Sequence, residues 1–370
     1  MNADPRRSTV EVNICVDQCK SAAEHFSFYP CLCASVPGFG IFLGAPSCPS
    51  WLSLSFAPHL RACALSLVLL LATTLLQAQT LAPRAYVITP VDSNAFTLTT
   101  NLYRGDILFD NSVPIENASG SISLTVPTFY HSVSFFGRSA NVAVGLPYAV
   151  GNFRALVVNQ QVETYRSGLG DAVVRFSVNL MGGPAMKLPQ FRKWKQKRLL
   201  GASIGVIAPT GQYDPRLLIN VGNSRWAVRP ELGYSERHGN WLVDVYGSVA
   251  FFSATPEFFS HNSFVPGTQE RTQEPIEIVE GHLSHDFKPR LWVSLDGNFW
   301  YGGRSSLNGV ENRATLQKNS RVGATAAIPI TLHQSIKFSY DRGALIRFGG
   351  KYQAIGVAWQ YGWIGSLWPK

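Results

Sequence analysis

No cysteine follows Cys63, no uncharged apolar run exceeds about fifteen residues, and only 15% of the chain is charged. The first absence excludes a disulfide framework or cysteine metal site over the last three hundred residues. The second excludes a membrane-spanning helix, because fifteen residues at ~1.5 Å each fall short of a hydrocarbon core of ~30 Å. Low charge combined with 9 Trp, 13 Tyr and 22 Phe argues against a soluble sandwich and for a surface that meets lipid.

All six cysteines (Cys15, Cys19, Cys31, Cys33, Cys48 and Cys63) lie in the first 63 residues, without histidines at zinc-finger spacing. Residues 1–57 show no periodicity and read as a disordered extension, consistent with an over-extended start. The next methionine is Met181, so a corrected start would use a codon such as Leu52, Leu54 or Leu60. The apolar run Ala62–Leu76, preceded by His59 and Arg61 and followed by Gln77-Ala78-Gln79, reads as a signal-peptide core at 58–78. Cys63 precedes that core, which argues against lipidation. Charges in residues 1–78 cancel, so the net +9 belongs to residues 79–370.

From Asn94 to Trp363 the chain repeats stretches of ten to fourteen residues that alternate apolar and polar and end in turn residues. Leu291, Val293, Leu295 and Phe299 alternate with Ser294, Asp296 and Asn298, for example. This period predicts an all-β fold: a transmembrane antiparallel up-and-down β-barrel over 79–363, with a tail at 364–370. Twelve strands are expected, at 94–104, 120–136, 139–150, 169–181, 199–210, 225–236, 241–253, 276–287, 291–302, 320–331, 334–347 and 352–363. Connections near Gly137-Arg138, Arg237–Gly239, Lys288–Arg290 and His333 are tight, whereas Gly151–Gly168, Gln212–Ser224, Ala254–Pro275 and Gly303–Asn319 read as long loops. Short turns on the periplasmic side and long loops outside are how outer-membrane barrels are built. The exception is the basic run Lys187, Arg192, Lys193, Lys195, Lys197 and Arg198, which parity places on the periplasmic side. Leu188, Phe191 and Trp194 within it predict a short helix lying at a membrane surface. A secreted barrel has no access to nucleic acid, so that partner is excluded in favour of membrane lipid and lipopolysaccharide.

The enzyme-like motifs weaken in this setting, and neither a catalytic centre, a metal nor a cofactor is expected. Gly201-Ala202-Ser203-Ile204-Gly205 matches a nucleophile elbow but sits in an alternating strand, not a strand-to-helix turn. His282 and His285, three apart on a strand, point to opposite faces and cannot share a metal. Asn117-Ala118-Ser119 fits a glycosylation sequon that means little in a bacterial outer-membrane chain. Alternation instead directs Arg175, Ser177, Asn179, Arg229, Glu231, Asp244, Tyr246, Glu280, His282, Asp296, Asn298, Lys337, Ser339 and Asp341 inward, with Trp292 and Trp300. A charge facing hydrocarbon costs about 2–4 kcal/mol near the midplane, so these groups must line the lumen. There they either pair into a rigid plug or meet a moving solute; Arg175, Arg229, Glu231, Asp244, Tyr246, Glu280, His282, Trp292, Asp296 and Lys337 are the candidate path residues.

Several runs carry a resemblance: Gly168-Leu169-Gly170-Asp171, Met181–Ala185, Ala208-Pro209-Thr210-Gly211-Gln212-Tyr213-Asp214 and Asn220–Trp226, with Phe136–Ala140, Leu146–Tyr148, Gly302-Gly303 and Gly356–Tyr361. Together they resemble the outer-membrane transporter family named for a MetA pathway of phenol degradation, over residues 85–363. The resemblance implies an outer-membrane barrel passing small hydrophobic or aromatic molecules. A structural or adhesive barrel is the alternative, and a lipid-acting membrane enzyme a weaker one. The mature chain is expected to begin at Gln79; mass spectrometry of outer-membrane fractions checks this, and peptides from residues 1–57 in the mature protein would contradict it.

Overall fold

A computed structural model describes residues 81–108, 115–157, 160–217, 219–262, 265–365 and 367. The expected extension, signal peptide and cleavage site, and Trp368 of the tail, lie outside these residues. In chain order the elements are β1 (Ser93–Leu108), β2 (Ile115–Phe135), β3 (Arg138–Gly145), β4 (Tyr148–Val157), β5 (Gln160–Leu169), β6 (Ala172–Met181), a one-turn helix α1 (Leu188–Phe191) and β7 (Arg198–Ala208). Then come β8 (Ala227–His238), β9 (Trp241–Phe252), β10 (Arg271–Gln273), β11 (Ile276–Lys288), β12 (Leu291–Gly302), β13 (Ser305–Leu307) and β14 (Val310–Asn312). After a 3-10 turn at Arg313–Thr315, β15 (Gln317–Pro329), β16 (Gln334–Ile346) and β17 (Gly349–Ile364) complete the wall.

Neighbouring strands pair antiparallel in the order β1-β17-β16-β15-β12-β11-β9-β8-β7-β6-β3-β2, and β2 pairs back to β1. The sheet is therefore a closed ring of twelve strands. Its seam is long: β1 meets β17 from Ser93↔Ile364 to Leu108↔Gly349, and meets β2 from Asn94↔His131 to Asp106↔Ser119. All twelve expected strands appear. Two-residue hairpins shape one end, and Phe136-Gly137 (φ 48 and 75) makes the doubly left-handed turn that suits the twist of the flanking strands.

Alternation decides what each face meets. Leu295 is 66% exposed on the outside while its neighbour Asp296 is 6% exposed on the inside. Aromatic rings collect near the short-turn end, where Phe96 packs on Trp359, Phe129 on Trp363, and Tyr361 between Trp359 and Trp363. Such a ring of amphipathic side chains sits where a barrel wall meets headgroups.

Two expectations need correction. Gly151–Gly168 is not a loop: β4 continues the line of β3 along β2, pairing from Thr125↔Tyr148 to Ile115↔Val157, and β5 returns along β4. Pro147 has no N–H for the ladder, so the strand breaks at Leu146-Pro147 and resumes. Gly170 N–H then bonds Pro147 carbonyl at 2.8 Å, marking the matching break between β5 and β6. The hairpin thus prolongs the wall beyond the ring. The basic segment, secondly, forms a helix only over Leu188–Phe191; Trp194 lies past it and stacks on Phe191 at 6.1 Å. Epitope tags in Gln212–Ser224, Ala254–Pro275 or Gly303–Asn319 are expected to be labelled on intact cells, and tags at Lys288 or His333 are not; the reverse result would invert the orientation.

Candidate functional site in the barrel lumen

The inward positions of β6 to β16 carry a continuous belt of charge. Arg175 on β6 bonds Glu231 on β8 at 3.1 Å, and Arg229 bonds the other oxygen of Glu231 at 3.2 Å while reaching Glu280 on β11 at 4.0 Å. His282 lies 3.7 Å from Glu280 and 2.9 Å from Asp296 on β12. Asp296 also accepts the hydroxyls of Ser294 and Thr325. Arg321, fully buried, pairs with Asp341 on β16 and lies over the Tyr352 ring at 4.1 Å. Opposite charges on neighbouring strands thus offset each other's desolvation, which an isolated buried charge could not do.

The segment before β1, Leu81 to Asp92, lies inside this lumen. Asp92 N–H bonds Ser132 carbonyl at 3.0 Å and Thr89 bonds Tyr130 at 3.0 Å. Tyr86 is 2% exposed and its hydroxyl donates to Glu231 at 2.9 Å and lies in hydrogen-bond contact with the Ser203 hydroxyl at 3.1 Å. Its ring fills a dent left by two glycines that are cross-strand partners, Gly201 of β7 and Gly233 of β8. A Cβ at either position would fall 2.1 Å from the ring. Further along, Ala85 N–H donates to the Tyr246 hydroxyl at 3.0 Å and Arg84 N–H to Asp244 at 3.3 Å. The Arg84 guanidinium bonds Asp286 at 2.7 Å and lies 4.3 Å over the Trp292 ring. This segment occludes much of the lumen. Beside it remains a cavity of about 840 Å³, lined by Arg84, Thr97, Trp292, Lys337 and Gln360 among others.

The far end of the lumen is apolar. Ala250, Ile276, Ile278 and Trp300 cluster there with Phe252 and Ile346, and the Trp300 indole donates to Gln317 at 2.8 Å. Above it a second cluster, containing Phe153, Ile219, Phe258, Phe259 and Phe348, draws together the β4–β5 hairpin and the connecting loops. β10, β13 and β14 form a small separate sheet in this cap.

Alternation placed the candidate side chains on the face where they are found. Arg175, Arg229, Glu231, Glu280, His282 and Asp296 belong to the belt; Asp244 and Tyr246 contact the inserted segment; Trp292 and Lys337 border the cavity. His285 faces away from His282, packing beside Trp241 at 4.6 Å and Phe287 at 4.8 Å. Lys337 forms no ion pair among the described residues. Arg321 and the inserted segment were missed, since Arg84-Ala85-Tyr86 has no period of its own. The paired inward glycines were the signal, because a dent facing a lumen needs an occupant.

Three of the runs that carried the resemblance, Gly168–Asp171, Ala208–Asp214 and Asn220–Trp226, converge at the outer end of β6 and β7, whereas Phe136–Ala140 and Met181–Ala185 meet at the short-turn end. Asp171 accepts from Gly211 N–H at 2.9 Å and from both Asn223 N–H and its amide at 2.8 Å. A Cβ on Gly211 would meet Gly170 backbone at 2.7 Å and Gly222 at 2.8 Å, so the three glycines permit a backbone contact that no larger residue allows.

The model of a family described as Putative MetA-pathway of phenol degradation matches residues 109–360. Among solved structures, the COG4313 outer membrane channel from Pseudomonas putida F1 aligns at TM-score 0.65 and 16% identity, covering 77% of this chain and all (100%) of that one. The β domain of the Bordetella autotransporter BrkA reaches 0.44 at 11% identity, covering 74% of this chain and 100% of that one. The transport unit of the Escherichia coli autotransporter AIDA-I also reaches 0.44, at 8% identity over 84% and 99%. No curated protein sequence matches the chain. The chain is an outer-membrane β-barrel.

Replacing Glu231 by Gln leaves Arg175 and Arg229 without their shared carboxylate and is expected to destabilise the barrel by ~3 kcal/mol. Tyr86→Phe, which removes one neutral donor to that carboxylate, is expected to cost only about 1 kcal/mol. Denaturant unfolding of refolded barrels measures both, and equal effects would contradict the central place given to Glu231.

Proposed function

Since the chain belongs to the family described as Putative MetA-pathway of phenol degradation, we propose that it is an outer-membrane channel or transporter for small molecules with apolar or aromatic bodies. The observation that carries this reading is the inserted segment. It sits in the lumen through separate hydrogen bonds from Arg84, Ala85 and Tyr86, worth about 0.5–1.5 kcal/mol net for the neutral one and about 1.5–3 kcal/mol for each one to a carboxylate. The wall around it is a closed ring of paired strands. Withdrawing the segment therefore costs far less than opening the wall, and the cavity at Trp292 and Lys337, beside the short turns, is where inward passage would end.

The layering supports the solute class. A solute moving inward meets the partly exposed Phe252 and Ile346, which cover the buried cluster of Ile276, Ile278 and Trp300, before it reaches the ionic belt. Aromatic and aliphatic bodies gain from that contact, at roughly 25 cal/mol per Å² removed from water, whereas a sugar would lose hydration there. Arg175, Arg229, Glu231, Asp244, Tyr246, Glu280, His282, Trp292, Asp296 and Lys337 remain the proposed path residues. We read the protein as non-enzymatic: Ser203 of the Gly-Ala-Ser-Ile-Gly run is in hydrogen-bond contact with Tyr86. That run lies in strand β7, where an elbow would need a turn.

Deleting Leu81–Pro90 is expected to raise single-channel conductance several-fold and to speed swelling of liposomes in benzyl alcohol. The Arg229→Ala/Lys337→Ala double variant is expected to shift ion selectivity toward cations. A folded barrel whose conductance is indifferent to both changes would be a structural element and not a transporter.

A further inference from the structure

In the cap a buried charge lacks an ionic counterpart among the described residues. Arg225, at the approach to β8, is only 3% exposed. Its Nη2 donates to Gln273 Oε1 at 2.7 Å, yet Nε and Nη1 are buried without a partner. The guanidinium lies 4.4 Å over the Phe252 ring, which borders the apolar layer of the lumen. Arg271, 1% exposed, lies 4.4 Å over Phe258, a member of the cap cluster. The acid in this neighbourhood is Asp171, and its two oxygens are already taken by Gly211 and Asn223. Burial and the adjacent Arg271 charge push the Arg225 guanidinium well below its ordinary pKa, and burial brings Arg271 down to about 10.

A buried guanidinium facing aromatic rings without a carboxylate is costly unless an anion completes it. A cation–π contact recovers only part of the lost hydration. Apolar clusters flank the pair on both sides, toward the cap and toward the lumen. We propose that Arg225 is a recognition site for the carboxylate of an amphipathic acid, whose hydrocarbon or aromatic body lies against Phe252 and Ile346, the partly exposed edge of the layer built on Ile276, Ile278 and Trp300. The carboxylate takes the hydrogen bonds that Nε and Nη1 lack, and it replaces the Phe252 ring as the partner of the charge. Gln273, held by the Gly303 carbonyl at 3.1 Å, keeps the guanidinium oriented. This assignment rests on the transport reading and narrows its substrate class from apolar bodies in general to those bearing one carboxylate.

Calorimetric titration of the purified, detergent-solubilised protein with benzoate, benzyl alcohol and acetate tests it. Wild type is expected to bind benzoate more tightly than either of the others, by about tenfold or more. In Arg225→Gln the preference for benzoate over benzyl alcohol is expected to collapse, and in Arg225→Lys to survive in part. An undiminished preference in Arg225→Gln overturns the proposal, and so does acetate binding as well as benzoate, which would mark a simple anion site. If Arg225→Gln fails to fold, as read by heat-modifiable mobility, the wild-type ranking decides alone: benzoate first supports the site, and equal affinities refute it. Liposome swelling separates the two readings, because passage of benzyl alcohol without a benzoate preference leaves the transporter standing and removes only this site.

Discussion

Inside a bilayer no water reaches the backbone, so every N–H and C=O on a strand must find a partner in another strand. The ring closure of β1 with both β17 and β2 satisfies this requirement, and the rest of the molecule depends on it. Once the ring is closed, the two-residue period of a strand leaves one face to lipid and one to the interior. Leu283, Leu295 and Ile355 go outward because hydrocarbon surrounds the wall, and Asp244, Glu280 and Arg321 go inward because it does. The usual arrangement of a soluble core is turned inside out.

An interior filled with charge has to be neutral in detail as well as in total. Glu231 and Asp296 act as hubs, each accepting from several donors on different strands, so that the belt crosses from β6 to β15 with few gaps. The segment from Leu81 to Asp92 joins this network and does not displace it: Tyr86 adds a donor to Glu231, and Arg84 brings a cation to Asp286. A ring of twelve strands lies between the eight whose side chains fill the interior and the sixteen to eighteen that leave a water channel. A short stretch of its own chain is the right size to close it.

The regular pattern lapses at one place in the wall. The wall breaks at Leu146-Pro147 and Gly170-Asp171, the three glycines Gly170, Gly211 and Gly222 bring backbones together, and Asp171 ties the contact to Asn223. Arg225 lies just beyond that knot. The runs Gly168–Asp171, Ala208–Asp214 and Asn220–Trp226 thus form the joint between the ring and its cap, and Arg225 stands at that joint.

The number of strands in the ring and the inward or outward sense of Asp296, His282, His285 and Trp300 were legible in the sequence, because each depends on a period of two and on the cost of a charge in lipid. Both are local properties of a stretch of ten residues or so. The β4–β5 hairpin was not legible, since its short alternation looks like a loop until β2 proves long enough to pair with it. The inserted segment was hidden for a stronger reason: nothing in Arg84-Ala85-Tyr86 repeats, and its conformation is dictated by Glu231, Tyr246, Asp286 and the dent between Gly201 and Gly233. Those partners lie more than a hundred residues away along the chain. Periodicity determined the wall; which groups face one another across the lumen was decided only when the sheet closed, because that distance is set by strand tilt and register around the whole ring.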